Sequence, residues 1–216
     1  MSDSKAQPVT PDQALALLQQ GNQRFASGAS LHPRLDFTRR AQVVADGQQP
    51  CATVLSCSDA RVPPELIFDC GIGDLFVIRV AGNICAIDET ASAEYGACHI
   101  GTPLCVVLGH TYCLAVTNVL KGVEAQGCIP TLAAAISPAV EQSQRDHPGI
   151  GPDQLVNYAV KLNVWQSIED LLGRSALIRQ RVRDGALKII GAVYDLDTGY
   201  VDWLGAHPEE ARLMQV

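Results

Sequence analysis

Short and nearly continuous apolar runs predict buried strands in the first half of the chain, because Pro, Gly and polar residues bound each run. The runs are CATVLSC at 51–57, DLFVIRV at 74–80 and PLCVVLG at 103–109, and a helical stretch, ETASAEYGACHIG at 89–101, precedes the third. Strands that lack a polar face and alternate with helices are typical of a parallel sheet with helices on both sides.

Helical patterns predominate toward both ends of the chain. Thr10, Pro11 and Gln13 fit the N-cap, the first helical position and the third helical position of a capping box. Helices are predicted on either side of the strands, at 10–28, 37–47, 131–149, 152–173 and 175–185. The stretch LKIIGAVYDLDTGYVDWL at 187–204 predicts a pair of strands around a DTG turn.

These elements predict an α/β fold in which helices flank a mainly parallel central sheet. An N-terminal helical arm precedes the sheet, and helices with a strand pair complete the C-terminal part. The length of 216 residues suits one domain over 1–216. We expect an arm at 1–46, an α/β core with the candidate chemistry at 47–125, and a helical region with terminal strands at 126–216.

Composition and charge restrict the class of partner. Hydrophobic residues make up 47% of the chain and charged residues 18%, which is typical of an ordinary globular protein. The net charge of −7 argues against nucleic acid or an anionic membrane as a partner, since both require basic patches. The chain has no apolar stretch of about 18 residues and no signal-peptide pattern at its start, so we expect a cytoplasmic protein.

Eight cysteines are expected to stay reduced in a cytoplasmic protein, where functional ones serve as metal ligands or nucleophiles. Free cysteines among apolar or small neighbours usually behave as small buried hydrophobic residues. We expect this of five of them, namely Cys51, Cys70, Cys98, Cys105 and Cys128.

The stretch CSDARVPPE at 57–65 brings a thiol, a carboxylate and a guanidinium together directly after the first predicted strand. In extended chain, Cys57, Asp59 and Arg61 would face the same way, because side chains alternate with a period of two. A buried core strand would not normally carry a carboxylate and a guanidinium on one face. The pattern therefore indicates a site that uses a thiolate and charged groups together.

A second candidate, GHTYC at 109–113, follows the third predicted strand. His110 and Cys113 would point at one spot if they shared the first turn of a helix. Sites in open α/β sheets collect at the carboxyl ends of strands, so Cys57 is expected to join them. Two cysteines and one histidine leave the fourth tetrahedral position of zinc open, which is the catalytic arrangement.

Less specific interpretations remain for these residues. An isolated His-x-x-Cys is often a packed, hydrogen-bonded turn without a metal. If the metal were bound elsewhere, Cys98 and His99 would be the next pair to test, although adjacent helical residues diverge by about 100°.

Together the two motifs resemble those of the β-class carbonic anhydrases. CSDARVPPE is similar to the family's CSDSR-V-P-E stretch, and GHTYC to its GH-x-x-C. The resemblance extends to GNQRF at 21–25, GDLFVIRVAGN at 73–83 and LKIIGAVYDLDTGYVDWL at the end. It implies a Zn²⁺ enzyme that interconverts carbon dioxide and bicarbonate through attack by zinc-bound hydroxide, and that works as a homodimer or a multiple of dimers.

The resemblance also implies roles for individual residues. Cys57, His110 and Cys113 correspond to the zinc ligands. Asp59 corresponds to the carboxylate that orients the zinc-bound hydroxide, and Arg61 to the cation that holds this carboxylate.

Four further residues correspond to the family's substrate pocket or border it. Gln48, Phe76 and Tyr95 match pocket residues, which the resemblance assigns largely to the neighbouring subunit; without the resemblance, core or turn positions are the favoured interpretation. Leu114 stands where the family normally has glycine, and its side chain is expected to narrow the pocket. Hydrolysis of carbonyl sulfide or carbon disulfide, and a zinc-binding homologue of weak or no activity, are therefore the alternative functions.

Overall fold

A computed structural model of the chain describes residues 9–215, so residues 1–8 of the expected arm and residue 216 lie outside the description. The strands are β1 (Ala52–Ser56), β2 (Leu75–Arg79), β3 (Leu104–His110), β4 (Lys188–Tyr194) and β5 (Val201–Gly205). The α-helices of this part of the chain are α1 (Pro11–Ala26), α2 (Phe37–Asp46), α3 (Pro64–Ile67), α4 (Ile87–Glu94), α5 (Leu114–Leu120), α6 (Ile129–Asp146), α7 (Pro152–Arg174), α8 (Ala176–Arg183) and α9 (Glu210–Leu213).

The five strands form one sheet in the order β2-β1-β3-β4-β5. Strands β1 to β4 pair in parallel and β5 runs antiparallel to β4 across the predicted DTG turn. The α/β fold class and the mainly parallel sheet are thus confirmed. The division into arm, core and C-terminal region stays a prediction.

Apolar side chains cover both faces of the sheet, which explains why the strands have no polar side. Residues such as Val54 and Val106 pack with Ala14 and Leu18 of α1 on one face. On the other face, alternate strand residues pack against the apolar side of α7. Helix α7 lies very close to β3, since a Cβ at Gly109 would stand 2.7 Å from Val164.

The first helix begins as its sequence predicts. The Gln13 N–H donates to Thr10 Oγ1 at 3.2 Å, and the Thr10 N–H donates to Gln13 Oε1 at 2.9 Å. Both contacts give a side-chain acceptor to a backbone N–H group that the start of a helix leaves without a partner. The capping box is therefore confirmed.

Some local predictions were incomplete or wrong. The sequence predicts one helix at 89–101, but α4 ends at Glu94 and is followed by a π-helical segment at Tyr95–Ile100. The short helices α3 and α9 were not predicted, because four residues carry little periodicity. Helix α5 begins at Leu114, directly after Cys113, so His110 is not part of it. Of the five cysteines expected to be buried, Cys105 is buried, Cys51, Cys70 and Cys98 are half-buried and Cys128 is exposed, while all eight cysteines are free as expected. Within residues 9–215, no helix has the length and apolar character needed to cross a bilayer.

The segment between α1 and α2 is fastened to the core by Asp69, whose side chain is fully buried. Its carboxylate accepts hydrogen bonds from Arg24 Nε at 2.6 Å and from the backbone N–H groups of Leu31 and His32. Burial opposes the charged form, but these donors outweigh it and hold the pKa of Asp69 below its usual range.

We expect Asp69→Asn to lower the free energy of unfolding by about 2–3 kcal/mol, because charge-assisted hydrogen bonds of a buried carboxylate are lost. The matched control is Asp202→Asn, since Asp202 pairs with Lys161 at 2.9 Å on the surface; a cost below about 1 kcal/mol is expected there. Urea denaturation measures both. Equal costs would contradict the anchoring role of Asp69.

The same variant should change the pH dependence of stability. A depressed pKa in the folded state means that Asp69 stabilises the protein above its unfolded pKa of about 3.9, and that this contribution disappears as pH falls through the folded value. The difference in unfolding free energy between wild type and Asp69→Asn should therefore be constant near neutral pH and shrink below about pH 4.

Candidate metal centre

Cys57, His110 and Cys113 come together at the carboxyl edge of the sheet. Their possible ligand atoms all lie within 4.8 Å of one another, and all three residues are buried. Cys57 follows β1 and His110 ends β3, so the parallel pairing of these strands creates the cluster. Among residues 9–215, Cys57, His110 and Cys113 form the one group of three or more His, Cys, Asp or Glu side chains that could hold a metal ion.

The chain turns sharply after Asp59 instead of continuing in an extended conformation. Strand β1 ends at Ser56, and the Val62 N–H donates to the Asp59 carbonyl at 3.0 Å in a tight turn. The predicted extended alternation through Arg61 is therefore wrong. Arg79 holds this segment from outside, because its Nε and Nη2 donate to the carbonyls of Cys57 at 3.1 Å and Asp59 at 2.7 Å.

The second motif also converges for a reason other than the predicted one. His110 belongs to β3 and Cys113 is the N-cap of α5, so the two do not share a helical turn. They face one point because Tyr112 between them has a φ of 57°, a left-handed conformation that is uncommon outside glycine. The Tyr112 hydroxyl donates to Asp197 at 2.7 Å, which ties this turn to the β4–β5 connection.

The histidine is suited to bind a metal through Nε2. Its Nδ1 lies 2.8 Å from the Thr111 carbonyl oxygen, so Nδ1 carries the proton and Nε2 has a free lone pair. Nε2 is buried and has no hydrogen-bond partner within the described part of the chain. Asp59 Oδ2 lies 4.0 Å from it. Two acceptors facing each other in a buried position fit a cation that binds beside them.

The thiols are equally suited to a cation. The contact with Cys113 lowers the pKa of Cys57 to about 4 despite burial, and the hydrogen bond from the Gly82 N–H acts in the same direction. The same contact, followed by burial, raises the pKa of Cys113. Metal binding requires thiolates, and a thiophilic divalent cation at this position would stabilise both of them.

Asp59 and Arg61 form a bidentate ion pair beside the cluster. Arg61 Nε donates to Asp59 Oδ1 at 2.9 Å, and Nη2 donates to Oδ2 at 2.7 Å. The Arg61 N–H also donates to Oδ1. Arg61 thereby holds the pKa of Asp59 well below its usual range, so the carboxylate is an ionised acceptor at neutral pH.

A cavity of about 690 Å³ opens beside the cluster between α5 and α6. Cys57 and Asp59 line one end of it, and the rest of its wall is mainly apolar. Leu114 is 64% exposed and belongs to this wall, so its side chain faces the cavity instead of packing between helix and sheet. That Leu114 narrows a substrate pocket stays a prediction.

The other predicted pocket residues lie elsewhere in the chain. Gln48 is exposed between α2 and β1, and the Phe76 and Tyr95 rings stack with centroids 6.1 Å apart. None of the three lines the cavity beside Cys57. Their assignment to a neighbouring subunit's pocket stays a prediction. The alternative metal pair, Cys98 and His99, does not belong to the cluster of possible ligands; the His99 and Tyr95 ring centroids lie 4.6 Å apart.

Sequence reasoning missed the residues that support the cluster from behind. Besides Arg79, these are Gly82, whose N–H donates to Cys57 Sγ at 3.3 Å, and Asn163, which donates to the Gly82 carbonyl at 2.7 Å. The available signal was a pair of polar residues four apart, Asn163 and Ser167, on the apolar side of α7.

Comparisons with known proteins agree with this geometry. The family model described as carbonic anhydrase matches residues 52–201. A relative named carbonic anhydrase 2 from Mycobacterium tuberculosis is 35% identical over 196 residues, which cover 88% of this chain and 91% of the relative.

Solved structures extend the similarity to the fold. The β-carbonic anhydrase CcaA superposes with a TM-score of 0.72 and 26% identity, over 92% of this chain and 96% of that one. A tetrameric β-carbonic anhydrase from Sordaria macrospora gives a TM-score of 0.72 and 25% identity, over 90% and 98%. The family match, the relatives and the fold together establish that this chain belongs to the β-class carbonic anhydrase family.

Proposed function

We propose that this protein hydrates carbon dioxide reversibly to bicarbonate and a proton, with zinc held by Cys57, His110 and Cys113. Family membership and fold support the activity. The observation that carries the metal assignment is the buried, unpartnered Nε2 of His110 facing two thiol groups. When bound to such a set, zinc lowers the pKa of its water to about 7 and so supplies a nucleophile at neutral pH.

Asp59 and Arg61 would then act on the proton of this nucleophile. As an ionised carboxylate 4.0 Å from His110 Nε2, Asp59 would accept a hydrogen bond from the nucleophile and orient it toward carbon dioxide. The bidentate contact with Arg61 prevents the carboxylate from rotating. Arg61 Nη2 also lies 3.4 Å from the Tyr112 carbonyl, which links the carboxylate to the second ligand motif.

We also propose a homodimer or a multiple of dimers. Helix α2 has no buried residue, and Leu35, Phe37 and Val44 expose large apolar side chains in or next to it. Such a surface favours association. The tetrameric relative from Sordaria macrospora supports an oligomer. In a dimer, Gln48, Phe76 and Tyr95 would line the pocket of the neighbouring subunit, although they do not line the cavity of their own chain.

A cytoplasmic location is part of the same proposal, supported by eight free cysteines. We propose no nucleic-acid or membrane partner, in line with the net charge of −7. Hydrolysis of carbonyl sulfide or carbon disulfide is not favoured, since the relatives reported above are named carbonic anhydrases.

Metal analysis tests the ligand set. We expect about one equivalent of zinc per wild-type chain and a large loss in Cys113→Ser, because a neutral hydroxyl replaces a thiolate. Cys98→Ser is the matched control and should keep its zinc, as Cys98 lies outside the cluster. Full zinc in Cys113→Ser would remove this cysteine from the ligand set.

Stopped-flow measurement of carbon dioxide hydration tests the carboxylate. Asp59→Asn should keep zinc but lose about 100-fold or more in kcat, because an amide cannot act as an ionised acceptor. Arg61→Ala should reduce the rate as well, and the double variant should be no slower than Asp59→Asn, since both changes disable one unit. A near-normal rate in Asp59→Asn would exclude the orienting role. An inactive, zinc-replete wild type would favour the homologue without activity.

Leu114→Gly tests whether this side chain obstructs the cavity. We expect kcat/KM for carbon dioxide to rise about fivefold at equal zinc content, which corresponds to about 1 kcal/mol in the barrier. The stability cost should stay near the helix-propensity difference of about 1 kcal/mol, because Leu114 is largely exposed. An unchanged rate at equal zinc content would mean that Leu114 leaves access to the metal unobstructed.

A further inference from the structure

Helix α7 buries two polar side chains on the side that faces the sheet. Asn163 is 0% exposed and Ser167 is nearly so, while Val160, Val164 and Ile168 around them are apolar. A buried amide costs free energy unless its hydrogen bonds are made. Asn163 makes only some of them, since its Oδ1 has no partner within residues 9–215. Packing alone therefore gives no reason for an asparagine at this position.

Both side chains donate to the turn at Ala81–Asn83. Asn163 Nδ2 donates to the Gly82 carbonyl at 2.7 Å, and Ser167 Oγ lies 2.9 Å from the Asn83 carbonyl oxygen and 2.8 Å from that of Asn163. Residues four apart lie on one side of a helix, so α7 presents two donors to two consecutive carbonyls.

This turn requires support from outside. Gly82 and Asn83 have φ values of 75° and 43°, so two successive residues are left-handed. A side chain at Gly82 is disfavoured by this φ, and its Cβ would also crowd Ile136 Cδ1 at 2.6 Å. The conformation leaves both carbonyls directed at α7, where each would be buried without a partner if the two side chains were absent.

Gly82 connects this support to the metal centre. Its N–H donates to Cys57 Sγ at 3.3 Å while its carbonyl accepts from Asn163, so its two polar groups are engaged on opposite sides. A hydrogen bond to the charged form of a thiol stabilises the thiolate and directs its remaining lone pairs. The orientation of the Gly82 N–H therefore affects how Cys57 presents its sulfur.

We propose that Asn163 is a positioning residue of the metal centre, which fixes the Gly82 carbonyl and thereby aims the Gly82 N–H at Cys57 Sγ. Ser167 assists by holding the next carbonyl of the same turn. The inference rests on the proposed role of Cys57 as a zinc ligand. Outer groups that orient ligands typically change metal affinity by about 10–100-fold when they are removed.

Zinc affinity of Asn163→Leu tests the proposal, because leucine has a similar volume and no donor. We expect the zinc Kd, measured by competition with a chromophoric chelator, to rise about 10–100-fold. The thiolate-to-metal absorption of the cobalt-substituted protein should shift as well. Neither readout depends on turnover of carbon dioxide.

Ser143→Ala is the matched control. Ser143 is a fully buried hydroxyl that donates to the Val140 carbonyl at 2.7 Å within its own helix α6. Its removal should lower the melting temperature and leave the zinc Kd and the cobalt spectrum unchanged. A zinc Kd of folded Asn163→Leu that matches the control would reduce Asn163 to a structural residue and overturn the proposal.

Ser167→Ala decides the question if Asn163→Leu does not fold. The Ser167→Ala change removes one donor from the turn and leaves the Asn163 amide in place. We therefore expect the zinc Kd to rise about threefold, which is less than the roughly 10–100-fold typical of groups that orient a ligand directly. An unchanged Kd would overturn the proposal. Absence of zinc binding in the wild type would instead contradict the proposed function, so the two failures are distinguishable.

Discussion

The parallel pairing of β1 with β3 is the interaction on which the site depends. Ser56 pairs with Leu108, so the chain leaves β1 at Cys57 close to the point where β3 ends at His110. Parallel strands place their carboxyl ends at one edge of a sheet, and a register shift of one residue would turn each side chain to the other face. The apolar packing on both faces of the sheet fixes this register and thus fixes the distance between the ligands.

Polar contacts around the cluster then constrain segments that the sheet does not hold. Arg79 donates to the carbonyls at and after Cys57, and Asn163 holds the turn whose N–H reaches the Cys57 sulfur. Tyr112 keeps a left-handed conformation between the other two ligands. The buried Asn163 amide and the left-handed Tyr112 are locally unfavourable, and such features concentrate at functional sites because the surrounding fold stabilises them.

Charge balance explains why two thiols, an imidazole and a carboxylate can share a buried corner. Two cysteine sulfurs and the His110 imidazole lie within 4.8 Å of one another, and Arg61 pairs with the Asp59 carboxylate beside them. A divalent cation would balance both thiolates and leave the carboxylate free to act on a neighbouring proton. The adjoining cavity, whose wall includes Leu114, is mainly apolar.

Sequence alone determined the α/β class, the positions of the long helices and strands, and the set Cys57, His110 and Cys113 with its neighbours Asp59 and Arg61. These features are local: apolar periodicity, capping residues and short motifs lie within a few positions of one another. Tertiary structure decided the turn after Asp59, the left-handed Tyr112, the position of Leu114 in the cavity wall and the contact of Asn163 with Gly82. Asn163 and Gly82 are 81 positions apart, and residues so distant meet only when the helix packs on the sheet, which no local pattern encodes.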